Sequence, residues 1–342
     1  MMGPGSISEI LKREIAAAGF DRCGITPAEE LSPEHDLLKR WLSAGCHAGM
    51  TFLERNSRRR ADASRLFEGA RSVAVAAAGY GSPYAAGIVA GPVISRYVTA
   101  TDYHKVVAGR LQKALSSAAE KIPGMRGRVC VDSAPVMEKP LAVRAGLGCQ
   151  GRNSLLLIPG VGSYFFLGLI VFNLLAEYDP PLPADPCRSC RKCIDACPTG
   201  AISDQGYLDA RRCISYLTVE RRGGMSGSPG ATPGSVAGPE PGPTPGSTMG
   251  SVPAPEPGTT PDSMAGDNLF GCDICQDVCP HNNPGNESSI YGLHRDVRLD
   301  AITHPEWMRL TPDRFRELFD GTVVERRGYE GFMGNVRALR SE

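Results

Sequence analysis

No stretch of this chain approaches the ~18 uninterrupted apolar residues of a membrane-spanning helix. Its most apolar run, Tyr164 to Ala176, is broken by Asn173 and reads as a buried strand or helix, so no membrane association is expected. Net charge is missing too: 37 basic residues meet 37 acidic ones, which removes a globally basic surface as a source of affinity for anions. No Gly-x-Gly-x-x-Gly follows a strand pattern, and a Rossmann nucleotide site is thereby set aside. The start of the chain lacks the pattern of a signal peptide. Ser6-Ile7-Ser8-Glu9 has the form of a capping box, and Ile7, Leu11 and Ile15 share one helical face. A folded amphipathic helix and a cytoplasmic protein are expected, with thiols kept reduced.

Cysteine, by contrast, is plentiful at 12 residues, beside a hydrophobic fraction of 42% that can build a core without disulfide staples. Clustered thiols in such a protein mean metal or catalysis. Glycine and proline concentrate in residues 223–268, where 11 Gly and 10 Pro occur among 46 residues with no aromatic side chain. Such a segment cannot bury a core, and a disordered insertion is expected there. Its only charges are Glu240, Glu256, Asp262 and Asp267, which leaves a formal +4 on the rest.

The remainder divides at the proline-rich connector 178–186. Residues 1–180 read as an α/β region, with a strand at Ser72–Ala78, a helix at Tyr103–Lys121 and a strand at Arg128–Val131. Residues 181–222 and 269–285 form the cysteine-rich part. Residues 286–342 carry helical patterns at Pro312–Phe319 and Phe332–Leu339 and are too short for a core of their own. Asp102-Tyr103-His104 begins like the signature of proteins that bind cobalt through histidine, but the next glycine, Gly109, comes two places late. Ligation of cobalt by His104 is not supported.

The strongest signal is Cys187-x2-Cys190-x2-Cys193-x3-Cys197-Pro198, followed by Cys213 and then Cys272-x2-Cys275-x3-Cys279-Pro280. Three cysteines at this spacing wrap one 4Fe-4S cubane, while the cysteine before proline reaches a second. Cys187, Cys190, Cys193 and Cys279 are assigned to one cluster, and Cys197, Cys213, Cys272 and Cys275 to the other. Zinc is the competing reading, but three close cysteines ending in Cys-Pro fit a tetrahedral four-cysteine knuckle poorly. Cys23, Cys46, Cys130 and Cys149 lie outside the pattern and read as small buried hydrophobes. Two clusters make an electron wire, so the preceding residues are expected to house a redox cofactor or substrate.

Five ordered motifs then resemble one family: Val131-Asp-Ser-Ala-Pro-Val-Met-Glu138, Arg144 to Ser154, Gly162 to Gly168, Cys213 to Glu220 and Gly271 to Pro280, with Ile94 to Tyr97 and Asp102 to Lys105 in support. The chain resembles epoxyqueuosine reductase from about residue 6 to 340. The resemblance implies an α+β fold: a nitroreductase-like cobalamin-binding α/β domain, then a two-cluster ferredoxin-like module, the Gly/Pro-rich insertion and a short helical C-terminus. It also implies cobalamin and two 4Fe-4S clusters as cofactors, and an oxidoreductase that reduces epoxyqueuosine to queuosine at the wobble position of a tRNA anticodon. Asp132 takes the general acid's place, its carboxyl held in a desolvated pocket; an aspartate capping the turn before Pro135 is the plainer alternative. Arg55, Arg96, Asn153, Ser163 and Ser215, with Asp132, are the candidate cobalamin contacts.

Arg58-Arg59-Arg60, Arg211-Arg212, Arg221-Arg222 and Arg326-Arg327 are the candidate RNA contacts. The implied partners are tRNA and an external low-potential electron donor, with no DNA and no membrane, and a monomer is expected. One departure is Cys149, where relatives carry tryptophan, and its packing beside a corrinoid is open. Two rival readings remain: a corrinoid iron-sulfur reductase of a small molecule, of reductive dehalogenase type, and a plain two-cluster electron carrier.

Overall fold

The computed structural model describes residues 3–80, 92–183, 185–221, 265–282, 290–294 and 296–339. Arg222 and residues 223–264 of the expected insertion lie outside the described residues. Its last residues do not behave as insertion: Ala265 is buried and Asn268 opens a strand.

Eight strands occur among the described residues: β1 (Arg22–Pro27), β2 (Ser72–Gly79), β3 (Val93–Ile94), β4 (Gly127–Cys130), β5 (Cys149–Gln150), β6 (Leu156–Leu157), β7 (Phe165–Phe172) and β8 (Asn268–Phe270). The main sheet has the order β1-β2-β7-β4 and is antiparallel throughout. Both faces of β2 and β7 are covered. Ala74, Ala76, Ile170 and Phe172 point to helices Pro4–Ala17 and Tyr103–Lys121, whereas Val73, Val75, Leu169 and Val171 pack with helix Glu138–Arg144. Burial on both sides is why these strands read as continuous apolar runs rather than alternating ones. Gly168 permits the close approach of helix Tyr103–Lys121, since a Cβ there would lie 2.5 Å from Leu111 Cδ1.

The first helix differs from expectation at its start. It begins at Pro4 behind Gly3 with no side-chain cap, so the Ser6 capping box is not used; Ser8 Oγ instead donates to the carbonyl of Glu177 (2.9 Å). Ile7, Leu11 and Ile15 are buried as their spacing requires. The connector is pinned along β1, with Asp179 accepting from the backbone of Ile25 (2.8 Å) and from Lys12 (2.6 Å).

Residues 296–339 do contribute a core, built jointly with two earlier segments. Trp307, Phe315, Phe319 and Phe332 close on Ile94, Val98, Leu269 and Phe270, so the C-terminal helices lock β3 against its parallel partner β8. Asn335 is the polar clamp of this core. It is 1% exposed, and its Nδ2 donates to the carbonyls of Thr218 and Leu269, each at 2.8 Å. Removing a donor from buried acceptors costs about 1–3 kcal/mol. Asn335→Ala is therefore expected to lower the unfolding free energy by about that amount; an unchanged midpoint in urea melts of the metal-free protein would show that the clamp contributes nothing.

Candidate active site

The two assigned cysteine sets come together as two separate groups. Cys187, Cys190, Cys193 and Cys279 line one small cavity, and Cys197, Cys213, Cys272 and Cys275 share the wall of a larger one. The short helical turns Lys192–Asp195 and Ile274–Asp277 pack against each other, which is how the Cys-Pro cysteine of each stretch reaches the other stretch's group. Burial, and then Cys187, Cys279 and Cys190, push the Cys193 thiol up. Burial, followed by Cys272, Cys213 and Cys197, pushes Cys275 far up. Thiols so crowded favour a metal that displaces their protons. Two sets of four cysteines, each gathered on one cavity wall, match the donor count of two 4Fe-4S clusters.

The larger cavity has a volume of about 400 Å³ and mainly apolar walls, among them Tyr80, Leu156, Phe165 and Phe166. Its polar lining is largely neutral: Asn153, Ser163, Ser215 and Gln276 supply amides and hydroxyls. This is the chemistry a large amide-bearing cofactor requires. Asn153 also lines the small cavity and so stands between the two cysteine groups. Ser163 Oγ bonds Gln276 Oε1 (3.0 Å), and the Ser215 side chain hydrogen-bonds Cys213.

A second cavity of about 720 Å³ shares Tyr97, Tyr103 and Asp132 with the first, and adds His104, Arg326, Arg327 and Arg337. Asp132 thus faces both. It has φ +40°, a left-handed backbone costing roughly 1–3 kcal/mol in a non-glycine residue. Its N–H donates to Glu138 Oε1 (2.7 Å), which braces that conformation. Its Oδ2 accepts from Tyr103 Oη (3.0 Å) and bonds His104 Nε2 (2.8 Å). His104 Nδ1 bonds Asp102 Oδ1 (2.7 Å), and Arg326 closes on Asp102 Oδ2 (2.9 Å). Asp102 also caps the helix that starts at Tyr103.

The cleft encloses Asp132 only in part, its side chain being 57% exposed, and the push towards a neutral carboxyl is outweighed by the His104 hydrogen bond and charge, then Tyr103 and Arg326, which hold it below its ordinary value. Burial alone would lower His104, yet its bonds to Asp132 and Asp102 raise it. Both shifts favour the carboxylate–imidazolium form of the pair. By linkage, its contribution through His104 is complete below ~6.5 and lost as pH rises through the raised value; through Asp132 it is present above ~3.9 and lost as pH falls. Glu138 behaves oppositely: burial, then the Asp132 charge, pushes it up to about 8, so it stays protonated at neutral pH.

The comparisons fit this arrangement. Residues 60–133 match the family model described as epoxyqueuosine reductase QueG, DUF1730, and residues 186–227 match the 4Fe-4S double cluster binding domain. An epoxyqueuosine reductase of Cyclobacterium marinum is 34% identical over 338 residues, covering 98% of this chain and 97% of that one. This chain belongs to the epoxyqueuosine reductase family. The relative from Burkholderia pseudomallei is also 34% identical, over 93% of this chain and 77% of its own. A crystal structure of epoxyqueuosine reductase with a tRNA-Tyr epoxyqueuosine-modified stem loop matches with a TM-score of 0.76 at 26% identity, over 97% of this chain and 80% of that one. The Bacillus subtilis epoxyqueuosine reductase, solved with a catalytic aspartate loop swung out of the active site, gives 0.75 at 25% identity, over 97% of this chain and 80% of that one.

Within this family member, three of the side chains expected at a cofactor, Asn153, Ser163 and Ser215, lie on the cavity wall with Asp132. Arg96 and Arg55, the other two expected there, are not on that wall. The Arg96 guanidinium is spent on Asp277 and lies over the Tyr164 ring; Arg55 sits on a surface concavity of its own. Cys149 is buried on β5 away from the cavity wall, while Cys46 and Cys130 are buried as expected and Cys23 is half-buried. Of the arginine runs, Arg211 is paired bidentately with Asp209, and Arg327 serves backbone carbonyls of 219 and 221. Sequence reasoning missed Tyr103, His104, Glu138 and Arg326 as a set. Their only linear trace was their presence in two of the quoted motifs and one arginine pair.

Two outcomes test this geometry. Cys193→Ala and Cys275→Ala are each expected to abolish one cluster while the other's EPR signal persists, whereas Cys149→Ala keeps full iron content. Asp132→Asn is expected to lower the His104 pKa, read from its imidazole NMR resonances; an unchanged titration would show that no charge pair forms.

Proposed function

We propose that this protein reduces epoxyqueuosine in a tRNA anticodon loop to queuosine. The observation that carries the proposal is the position of Asp132, on the common wall of a cavity bordered by four cysteines and a cavity bordered by arginines. The reaction takes up two electrons and two protons, breaks both C–O bonds of the epoxide, forms the alkene and releases water. Cys187, Cys190, Cys193 and Cys279 would hold one 4Fe-4S cluster, and Cys197, Cys213, Cys272 and Cys275 the other. Asn153, Ser163 and Ser215 would hold cobalamin in the cavity bordered by Cys197, Cys213, Cys272 and Cys275, in a nitroreductase-like domain. Bound cobalamin would supply a strongly reducing metal centre, fed by the clusters one electron at a time. The protein would act as a cytoplasmic monomer, taking electrons from an external low-potential donor.

The chain's own residues govern the protons. In the charged form that the two shifts favour, the mobile proton is on His104 Nε2, 2.8 Å from Asp132 Oδ2. As the epoxide oxygen gains charge, Asp132 relays that proton to it, and the imidazolium's bond to Asp102 keeps the ring aligned. Glu138, protonated at neutral pH and on the same wall, offers the second acid. The mouth of the outer cavity, with Arg326 and Arg337, faces an anionic substrate.

Asp132→Asn, verified for both clusters and cobalamin, is expected to lose roughly 10²–10⁴-fold in turnover of modified tRNA, the usual weight of a general acid. Mass spectrometry of tRNA nucleosides from a deletion strain should show accumulated epoxyqueuosine; unaltered queuosine would remove the proposal.

A further inference from the structure

We propose that the concavity formed by Arg55, Arg58, Arg59 and Arg65 is a phosphate basin that holds the RNA backbone beside the cleft, a proposal that rests on the tRNA substrate argued above. The basin encloses about 470 Å³, and four of its six lining residues are arginines, the others being Asn56 and Ser57. Gathering four guanidinium groups is unfavourable unless an anion joins them. One of the four charges, that of Arg65, meets a carboxylate, and the other three do not. Glu54 is engaged by His47 (2.8 Å), and Asp62 pairs with Arg65 (2.7 Å) while bonding Ser64. Arg55 reaches only the Thr51 hydroxyl (3.2 Å), and Arg59 the Arg65 carbonyl (3.5 Å). Both are neutral partners that leave the charge uncompensated. Arg55, Arg58 and Arg59 are exposed, and forked guanidinium groups match phosphate oxygens in charge and geometry.

The basin's position gives it this role. The helical turn Ser57–Ala61 is tied to the catalytic loop, since the N–H of Met137 donates to the carbonyl of Arg60 (3.0 Å). Arg60 is close enough for the Asp132 charge to act on it. A nucleoside turned into the cleft keeps its flanking phosphates outside, and they must run along the rim. Phe52, 45% exposed and 5.5 Å from Arg60 Cζ, adds a face on which an unpaired base can stack.

The test measures binding of an unmodified anticodon stem-loop RNA across a salt series, using the cluster-loaded protein. The triple variant Arg55→Ala, Arg58→Ala, Arg59→Ala is expected to bind at least tenfold more weakly and to flatten the log–log salt slope by about 2, since each phosphate left without its arginine takes ~0.7 from the slope. The corresponding triple lysine variant should recover the slope, because counterion release follows charge. Binding of the free epoxyqueuosine nucleoside, which has no phosphates, should be the same in all three proteins. Unchanged RNA affinity and slope in an alanine variant of full iron content overturns the basin and leaves the tRNA substrate standing. A wild-type protein that ignores the stem-loop overturns both. Should the triple alanine variant lose iron, Arg58→Ala alone gives the same reading on a smaller scale.

Discussion

The site depends first on how the second cysteine stretch is seated against residues 93–97. Asp273, between Cys272 and Cys275, is buried, and its carboxylate accepts from Ser95 Oγ (2.5 Å) and from the Arg96 N–H (2.7 Å). Burial pushes this carboxyl up, and those two bonds are what make the burial tolerable. The chain enters the interaction through Gly271 at φ +76°, where a Cβ would lie 2.5 Å from Ser95 Cβ. The same contact continues into the parallel pairing of β3 with β8 and into the aromatic core that covers it. Tyr97 follows directly and lines both cavities. One buried carboxylate therefore fixes the spacing between cysteines brought from 272–275 and the wall that faces substrate.

At Asp132 the same physics is balanced differently. Asp273 has neutral donors and a carboxyl that rises; Asp132 has an imidazolium and a carboxyl that falls. A desolvated, neutral acid was the expectation from sequence; in the structure the Asp132 side chain is 57% exposed and shares a hydrogen bond with His104 that favours its charged form. The arrangement keeps the acid's proton close without leaving the acid permanently neutral beside Glu138, which already is. Two adjacent carboxyls in one cleft resolve their repulsion by splitting their pKa values, one held down by a cation and the other pushed up by its neighbour.

What could be read from sequence was what covalent spacing enforces. The cysteine sets followed from x2 and x3 steps, the strand at Ser72–Ala78 from an uninterrupted apolar run that the structure extends to Gly79, and the helix Tyr103–Lys121 was read with the bounds it has. The antiparallel sense of the sheet could not be read, because strands buried on both faces carry no sign of direction. Nor could the destination of a guanidinium. Arg96 belongs to a recognisable motif, yet its partner Asp277 lies 181 residues away, and only the fold reveals that the charge is consumed internally. His104 illustrates the same limit: a local signature bears on cobalt ligation, but the residue's actual partners are Asp102 and, 28 residues on, Asp132. The C-terminal helices were read as too short for a core of their own, and theirs is completed by Ile94 and Phe270, which no local pattern could name.

These destinations also give the zero net charge its meaning. Arg144 braces Thr26 and the carbonyls of Pro27 and Glu29; Arg211 serves Asp209; Arg327 serves main-chain oxygens. Such arginines are structural, and they add little to the outward field. Concave surfaces carry Arg326 and Arg337, ion-paired with Asp102 and Glu330, in the outer cavity, and Arg55, Arg58 and Arg59 in the basin. Both positions border the loop that carries Asp132, one through Asp102 and His104, the other through Met137 and Arg60. Field strength in a cleft is set by such local arrangements and not by the sum over the chain. A neutral protein can thus present positive charge locally, on either side of the loop that carries Asp132.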